Sequence, residues 1–346
     1  MRIHDSKVGI MQDSVYIFGW PRLNGGANTK LYHLLKLIHR DFNITVIPDS
    51  PDDLKDKVMT SFLDRLNVKY TLLKHLPDKL TGVGFGMCNE FFFSQGIAEK
   101  AKARGLFVIW SNEMMWLFPG EEEAVKRGSI DRVLYCSDFQ RQALEKYYLN
   151  LPSLITGNYI DPLDFPYLER KRASFTIGRL SRADPVKYPV DFPVFYQCLK
   201  LPEARFRVMG WNDALRKQYR WFRFGPHWDL LPERKERTVN FLGSLDLFVY
   251  PLGPWVKESW GRAVVEGMLT GAIPLVPKGH FFEKLMVHEE SGFICETFDD
   301  YKYYANVLFD NYPLRAECAK RCSQHASSTL CNPAEHLGLW KEAFKC

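Results

Sequence analysis

Two glutamates, Glu258 and Glu266, stand eight residues apart in the run ESWGRAVVE, with Gly261 between them and the apolar run AIPLVP after Gly271. On a helix opening near Ser259 to Gly261, eight residues turn through ~800°, which leaves the carboxylates ~80° apart in angle and ~12 Å apart along the axis. Two carboxylates so placed suit two hydroxyl-bearing ends of one ligand, such as a sugar and a ribose. They are too far apart for the close pair of a glycosidase. The same two residues also fit a helix N-terminal charge and a surface glutamate, and spacing does not choose between these.

Three cations, Arg179, Arg182 and Lys187, lie in GRLSRADPVK, read as the loop after the strand SFTIG. Cations there suit a diphosphate, which carries its charge on a leaving group; a solvated basic loop is the plainer alternative. Further forward, RLNGGANTK places Gly25 and Gly26 before a helix, where successive backbone N–H groups form an anion nest. This is neither GxGxxG nor a Walker A sequence, and GWPRLNGGAN lacks what a dinucleotide oxidoreductase would need. The strand VIWSNE ends in Asn112 and Glu113, which fit either an acceptor site or a cap on the next helix. Eight cysteines include Cys318 and Cys322 one helical turn apart, with Cys331 nearby and His325 as the remaining conceivable ligand. Without the close-spaced pairs of zinc sites, they read as reduced thiols.

The elements that must position these residues alternate. DSVYIFGW, NITVIP, LFVIWSNE and the start of IDRVLYCSDFQRQALEKYY read as strands, with helices between them. The pattern restarts after Gly157 with SFTIG, RFRVMGW, LDLFVYP, AIPLVP and SGFICE, followed by the helices of the C-terminal third. Strands alternating with helices argue for parallel sheets covered on both faces, and 346 residues suit two domains. The carboxyl ends of such strands bind anions and nucleotides, and two such domains facing each other would make a cleft. The segment RKQYRWFRFGPHWDLLPERKER reads as a loop. It interleaves Arg216, Lys217, Arg220 and Arg223 with Tyr219, Trp221 and Phe222, a composition that binds single-stranded nucleic acid or anionic surfaces and also occurs in solvated loops.

The composition, 46% apolar and 25% charged with a net charge of +5, is that of a globular chain and agrees with a phosphate-handling protein. No apolar run is long enough for a membrane span. The opening MRIHDSKVGIMQDSVYIFGW lacks the layout of a signal peptide, so a cytoplasmic setting is expected.

Together GGANTKLYHL, GNYIDPLDF, GRLSRADPVKYP, LDLFVYP, ESWGRAVVEGMLTGAIPLV and SGF resemble, in order, the retaining glycosyltransferases of the GT-B fold, family 4. The resemblance implies an α/β protein of two Rossmann-like domains facing each other across a cleft. It places an acceptor-side domain at 1–157, a nucleotide-sugar-binding domain at 158–330, and a C-terminal helix, 331–346, packing back on the first domain. It also implies roles. Arg179 and Lys187 would neutralise the diphosphate. Glu258 would meet the transferred sugar beside backbone groups of Ser259, Trp260 and Gly261, and Glu266 would bind the ribose. Gly25 and Gly26 would let their loop approach the phosphates. Glu113, where relatives often carry a His-Asp pair, would line the acceptor site and serve as acceptor base. No cofactor or metal is implied; a nucleotide sugar, a UDP-sugar, is the substrate. The chain also lacks an Asp-x-Asp at a strand end, PDSPDD near Asp49 being a loop. The function implied is a hexosyl- or pentosyltransferase acting on a glycan, a glycolipid or a secondary metabolite. A transferase acting on a hydroxymethylated DNA base and a non-catalytic nucleotide-sugar-binding protein are the alternatives.

Overall fold

The structure, a computed structural model, describes residues 13–23, 25–148, 151–172 and 174–346. Most of the opening stretch examined for a leader sequence lies outside them. The chain divides into two units. One takes the described residues up to Thr156 together with Leu337–Cys346, and the other is Gly157–His336.

The first unit is built on β1 (Ser14–Phe18), β2 (Asn43–Ile47), β3 (Lys69–Tyr70), β4 (Val83–Met87), β5 (Phe107–Ser111), β6 (Arg132–Tyr135) and β7 (Ser153–Ile155). They form one parallel sheet in the order β3-β2-β1-β4-β5-β6-β7. β4 is buried along its whole length, as a strand covered on both faces must be. The helix Gly26–Ile38 follows β1 and buries Leu31, Leu34, Leu35 and Ile38 along one stripe, the period-3.6 pattern that made it legible. The last helix, Pro333–Ala343, closes the core of this unit: Trp340 is fully buried, and its ring lies 5.5 Å from that of Phe85. Phe344 packs edge-on against Phe42 at 5.3 Å.

The second unit carries β8 (Thr176–Leu180), β9 (Arg205–Met209), β10 (Trp228–Leu231), β11 (Leu247–Val249), β12 (Ile273–Pro277) and β13 (Phe293–Cys295), also all parallel, in the order β10-β9-β8-β11-β12-β13. The chain starts at β8, adds β9 and β10 on one side, then crosses to add β11 to β13 on the other. The order therefore reverses between β8 and β11. In open parallel sheets ligands bind at such a reversal, outside the carboxyl ends of the strands.

Two sequence readings need correction here. The segment 216–237 is not one loop: it continues the helix Asp213–Gln218 and later supplies β10, the edge strand that pairs Leu231 with Met209. The short WDLL run has no strong alternation of its own, and its strand state comes from pairing with β9. Arg179 is not in the loop after the strand but inside β8.

Candidate functional site

The second unit gathers several of the expected residues at its strand reversal. Lys187 comes from the loop after β8, and Glu258 from the loop after β11. Lys187 Nζ donates to Glu258 Oε1 at 2.6 Å, with both side chains more than four-fifths buried. Tyr250 Oη, at the end of β11, donates to the same oxygen at 3.3 Å. Among the described residues Glu258 Oε2 has no hydrogen-bond partner. Burial alone would raise the Glu258 carboxyl, but the Lys187 ammonium, the Tyr250 hydroxyl and the Arg179 charge together outweigh it and hold the group below its ordinary 4.5. Burial pulls the Lys187 ammonium down, and the surrounding groups, Glu258 among them, lift it net above 10.5. The pair is thus a charged one, with one carboxylate oxygen and two of the three ammonium N–H groups still available.

Arg179 lies beneath this pair and is fully buried. Its Nη1 donates to the Pro251 carbonyl at 2.8 Å, and Nη2 donates to the Lys187 carbonyl at 3.2 Å. The guanidinium sits 4.0 Å from the Tyr188 ring centre and 4.5 Å from that of Tyr250, the sandwich a planar cation favours. A cation so enclosed ties the loop after β8 to the loop after β11. It is enclosed on every side, so the neutralisation of a diphosphate expected of Arg179 would act through its charge and through Lys187, not by contact. Arg182, three residues on, is the exposed cation of this loop.

Ser259, buried Trp260 and Gly261 lead into the helix Arg262–Thr270, with Gly261 as N-cap. Gly261 has φ +92°, and a Cβ there would come within 2.5 Å of the Phe282 ring, so only glycine fits. Glu266 lies one turn in, four residues after Arg262. It is 8% exposed, so it is not a surface glutamate, and Arg262 Nε meets its Oε1 at 2.9 Å. Burial raises the Glu266 carboxyl against the pull of Arg262. Beyond the ends of β8, β9 and β10 lies a cavity of about 430 Å³, lined among others by Arg182, Trp211, Asn212 and Glu233. Of these only Arg182 stood out in the sequence. The others follow strands whose carboxyl ends were the available signal.

In the first unit, Gly25 caps and Gly26 begins the helix Gly26–Ile38, and both are exposed. Glu113 follows β5 in a left-handed conformation, φ +67°, which costs energy for a residue with a Cβ. Its Oε1 accepts from Lys30 Nζ at 2.6 Å and from the Ser111 hydroxyl, within a nearly dry pocket. Lys30 was not foreseen. Asn112 turns inward: its Nδ2 donates to both oxygens of Glu121, at 3.0 and 2.9 Å, and its Oδ1 accepts from the Met114 amide. It therefore serves the buried network of its own unit. Around the strand reversal between β1 and β4 lies a second cavity, of about 260 Å³, touching Arg22, Asp49 and Asn89.

Among the described residues no group of three or more His, Cys, Asp or Glu side chains could hold a metal ion, and no helix is long and apolar enough to cross a membrane. The Cys322 thiol donates to the Ser291 carbonyl, and burial raises it.

The sequence matches no family model and no curated protein. Its structure is similar to solved ones. Anabaena HepE, in complex with UDP and glucose, aligns over 95% of this chain and 98% of its own at a TM-score of 0.72 and 12% identity. A glycosyltransferase from Rickettsia africae aligns over 96% and 99% at 0.71 and 11%. Sucrose-phosphate synthase from Thermosynechococcus elongatus aligns over 95% and 98% at 0.67 and 9%. At these identities the likeness establishes the fold: the chain has the GT-B architecture of two Rossmann-like domains, each built on a parallel sheet.

Proposed function

We propose that this chain is a metal-independent glycosyltransferase that moves a sugar, with retention, from a nucleotide-diphosphate donor to an acceptor hydroxyl. The observation that carries the reading is the buried Lys187–Glu258 pair at the strand reversal, with Glu258 Oε2 open. Lys187 uses one N–H on Glu258 and offers two to the diphosphate. Glu258 Oε2 accepts a hydroxyl of the transferred sugar. The complexes of HepE with UDP and with UDP-glucose support a UDP-sugar as donor.

In the proposed step the bond between the sugar's C1 and the diphosphate oxygen breaks, and the electron pair leaves with UDP. The acceptor oxygen bonds C1 from the same face, and its proton passes to a base. Charge builds on the diphosphate, so cations and backbone N–H groups already aimed at it dominate the rate. Lys187 and Arg182 supply the charge, the N-terminus of Arg262–Thr270 supplies the dipole, and Arg179 holds Lys187 in place. Glu266 takes the ribose, and the cavity beside Trp211 takes the base. Gly25 and Gly26, at an exposed helix start, are suited to phosphate. The first domain is assigned the acceptor, with Glu113, oriented by Lys30, as base.

A glycan, glycolipid or secondary metabolite is the acceptor in this reading. A DNA acceptor is the second reading, favoured by the exposure of Arg216, Lys217, Arg220, Trp221 and Arg223 along one short stretch. The test is a screen of UDP-, GDP- and ADP-sugars for hydrolysis, then of acceptors including hydroxymethylated DNA, with and without EDTA. Release of UDP that survives EDTA is the expected result. Nucleotide binding without turnover on any acceptor would make the chain a binding protein, and strict dependence on Mn²⁺ or Mg²⁺ would remove the metal-independent mechanism.

A further inference from the structure

At the carboxyl end of the first sheet, the loop after β5 carries five consecutive apolar residues, Met114, Met115, Trp116, Leu117 and Phe118, and none of them is buried. Surface runs of this kind are avoided unless a ligand or partner covers them. Trp116 is 55% exposed. The loop is nonetheless fixed. Asn112 Nδ2 donates to the Trp116 carbonyl at 3.0 Å, Gln140 Nε2 donates to the Met114 carbonyl at 2.7 Å, and the Phe118 amide donates to Glu121 Oε2 at 2.8 Å. The Phe118 ring packs edge-on against Trp110 at 5.9 Å. Phe91, after β4, is exposed at the same end of the sheet.

Phe91 and Phe118 also line the cavity of about 260 Å³ at the β1–β4 reversal. Asn89 ties this apolar wall to the cavity's polar groups. Its Oδ1 accepts from the Phe91 amide at 3.0 Å, and its Nδ2 donates to Asp49 Oδ1. Cys88, just before it, holds a left-handed φ of +45°, backbone strain of the kind that clusters at ligand sites. Among the described residues Asp49 Oδ2 and the Asn28 side-chain amide have no hydrogen-bond partner, and neither is shielded from water, so a ligand can reach both. Arg22, the cation among the lining residues, pairs with Asp53 at 2.5 Å, and Glu90 is exposed. One open carboxylate oxygen and one open amide are a set that holds neighbouring hydroxyls. The cavity is smaller than the ~300 Å³ at which pockets for drug-sized ligands begin. It has room for one small polar head, and the rest of a larger ligand must lie outside it.

Resting on the assignment of the acceptor to the first domain, we infer that the acceptor is amphipathic: a hydroxyl-bearing head sits in this cavity against Asp49 and Asn28, and an apolar body lies on Phe91, Phe118 and Trp116. An alkyl chain and an aromatic ring share that chemistry, whereas a purely polar glycan would leave the three rings uncovered. Methyl, octyl and 4-methylumbelliferyl β-glucosides have one head and differ in the body, so they are the probes, octyl glucoside being kept below its micelle concentration.

Calorimetric titration of the full chain with the three glucosides, and separately with UDP, tests this. Octyl or 4-methylumbelliferyl glucoside is expected to bind ~10-fold or more tightly than methyl glucoside, the gain from covering about two methylene groups. Which of the two gains more tells an alkyl body from an aromatic one. Trp116→Ala should cut that gain by ~5-fold or more and leave methyl glucoside where it was. Asp49→Asn should weaken all three alike by ~5-fold or more, since the head is common to them. Equal affinities for the three glucosides in the wild type, a gain untouched by Trp116→Ala, or no binding of any glucoside by a chain that binds UDP would overturn the inference. A wild type that binds no UDP would instead sink the donor site, so the two failures are distinguishable.

Discussion

Lys187 and Arg179 are both cations of one short run, yet Lys187 pairs with a carboxylate and Arg179 with backbone carbonyls, so their substitutions should act by different routes. Lys187→Ala removes a charge proposed to face the leaving group. It should lower turnover by on the order of 10²-fold or more, and because it leaves the buried Glu258 carboxylate unpaired it should lower the melting temperature as well. Arg179→Ala leaves the buried carbonyls of Pro251 and Lys187 without their donor, so it should cost about 1–3 kcal/mol of stability and activity as well. Steady-state kinetics beside thermal denaturation checks both; unaltered stability in Arg179→Ala would return that residue to the ligand. The same pair sets a pH dependence. The folded pKa of Glu258 is depressed, so its contribution is present above the ordinary 4.5 and is lost as pH falls through the folded value. The folded pKa of Lys187 is raised, so its contribution is present below 10.5 and is lost as pH rises through the folded value. Glu258→Gln should therefore flatten the acid limb of stability against pH. An unchanged slope between pH 5 and pH 3, inside the window ~5 to ~1 over which a paired carboxylate is lost, would show that the pair contributes nothing.

At the scale of elements, the helix Arg262–Thr270 begins where it does because Gly261 alone can hold φ +92° against the Phe282 ring. Gly261→Ala combines left-handed strain with a 2.5 Å approach, and should cost about 1–3 kcal/mol. It should lower transfer too, since Glu258 and the helix N-terminus are set by that turn. A Tm within error of the wild type would contradict the assignment. This stretch was legible because its signals are local: spaced glutamates, a glycine before the helix and another after it, then an apolar strand. Arg179 was misplaced because nothing local distinguishes the last residues of a strand from the loop beyond, and its burial depends on Tyr188 and Tyr250 closing over it. Lys30 escaped notice for a similar reason: its partner, Glu113, is 83 residues away, and no spacing rule connects them. β10 owes its strand state to β9, an interaction between distant residues that a run of four amino acids does not announce.

Across the whole molecule, the two parallel sheets and their reversals follow from alternating strands and helices, which is why the fold was readable while the acceptor was not. The acceptor depends on surfaces whose chemistry admits more than one partner. If the exposed Arg216, Lys217, Arg220 and Arg223 each meet a phosphate, DNA affinity should fall by on the order of 10²-fold between ~50 and ~200 mM salt, and Arg220→Ala with Arg223→Ala should halve the slope. Absence of DNA binding at low salt would remove the nucleic-acid reading. If the second domain holds a nucleotide sugar with its two glutamates on different parts of the donor, calorimetry reads the division. Wild type, Glu258→Gln and Glu266→Gln are titrated with UDP, and transfer or hydrolysis is measured on the same samples. The wild type is expected to bind UDP, Glu266→Gln to weaken this binding, and Glu258→Gln, which frees Lys187 for the diphosphate, not to weaken it while slowing turnover. No UDP binding by the wild type, or the same profile for both variants, would contradict it.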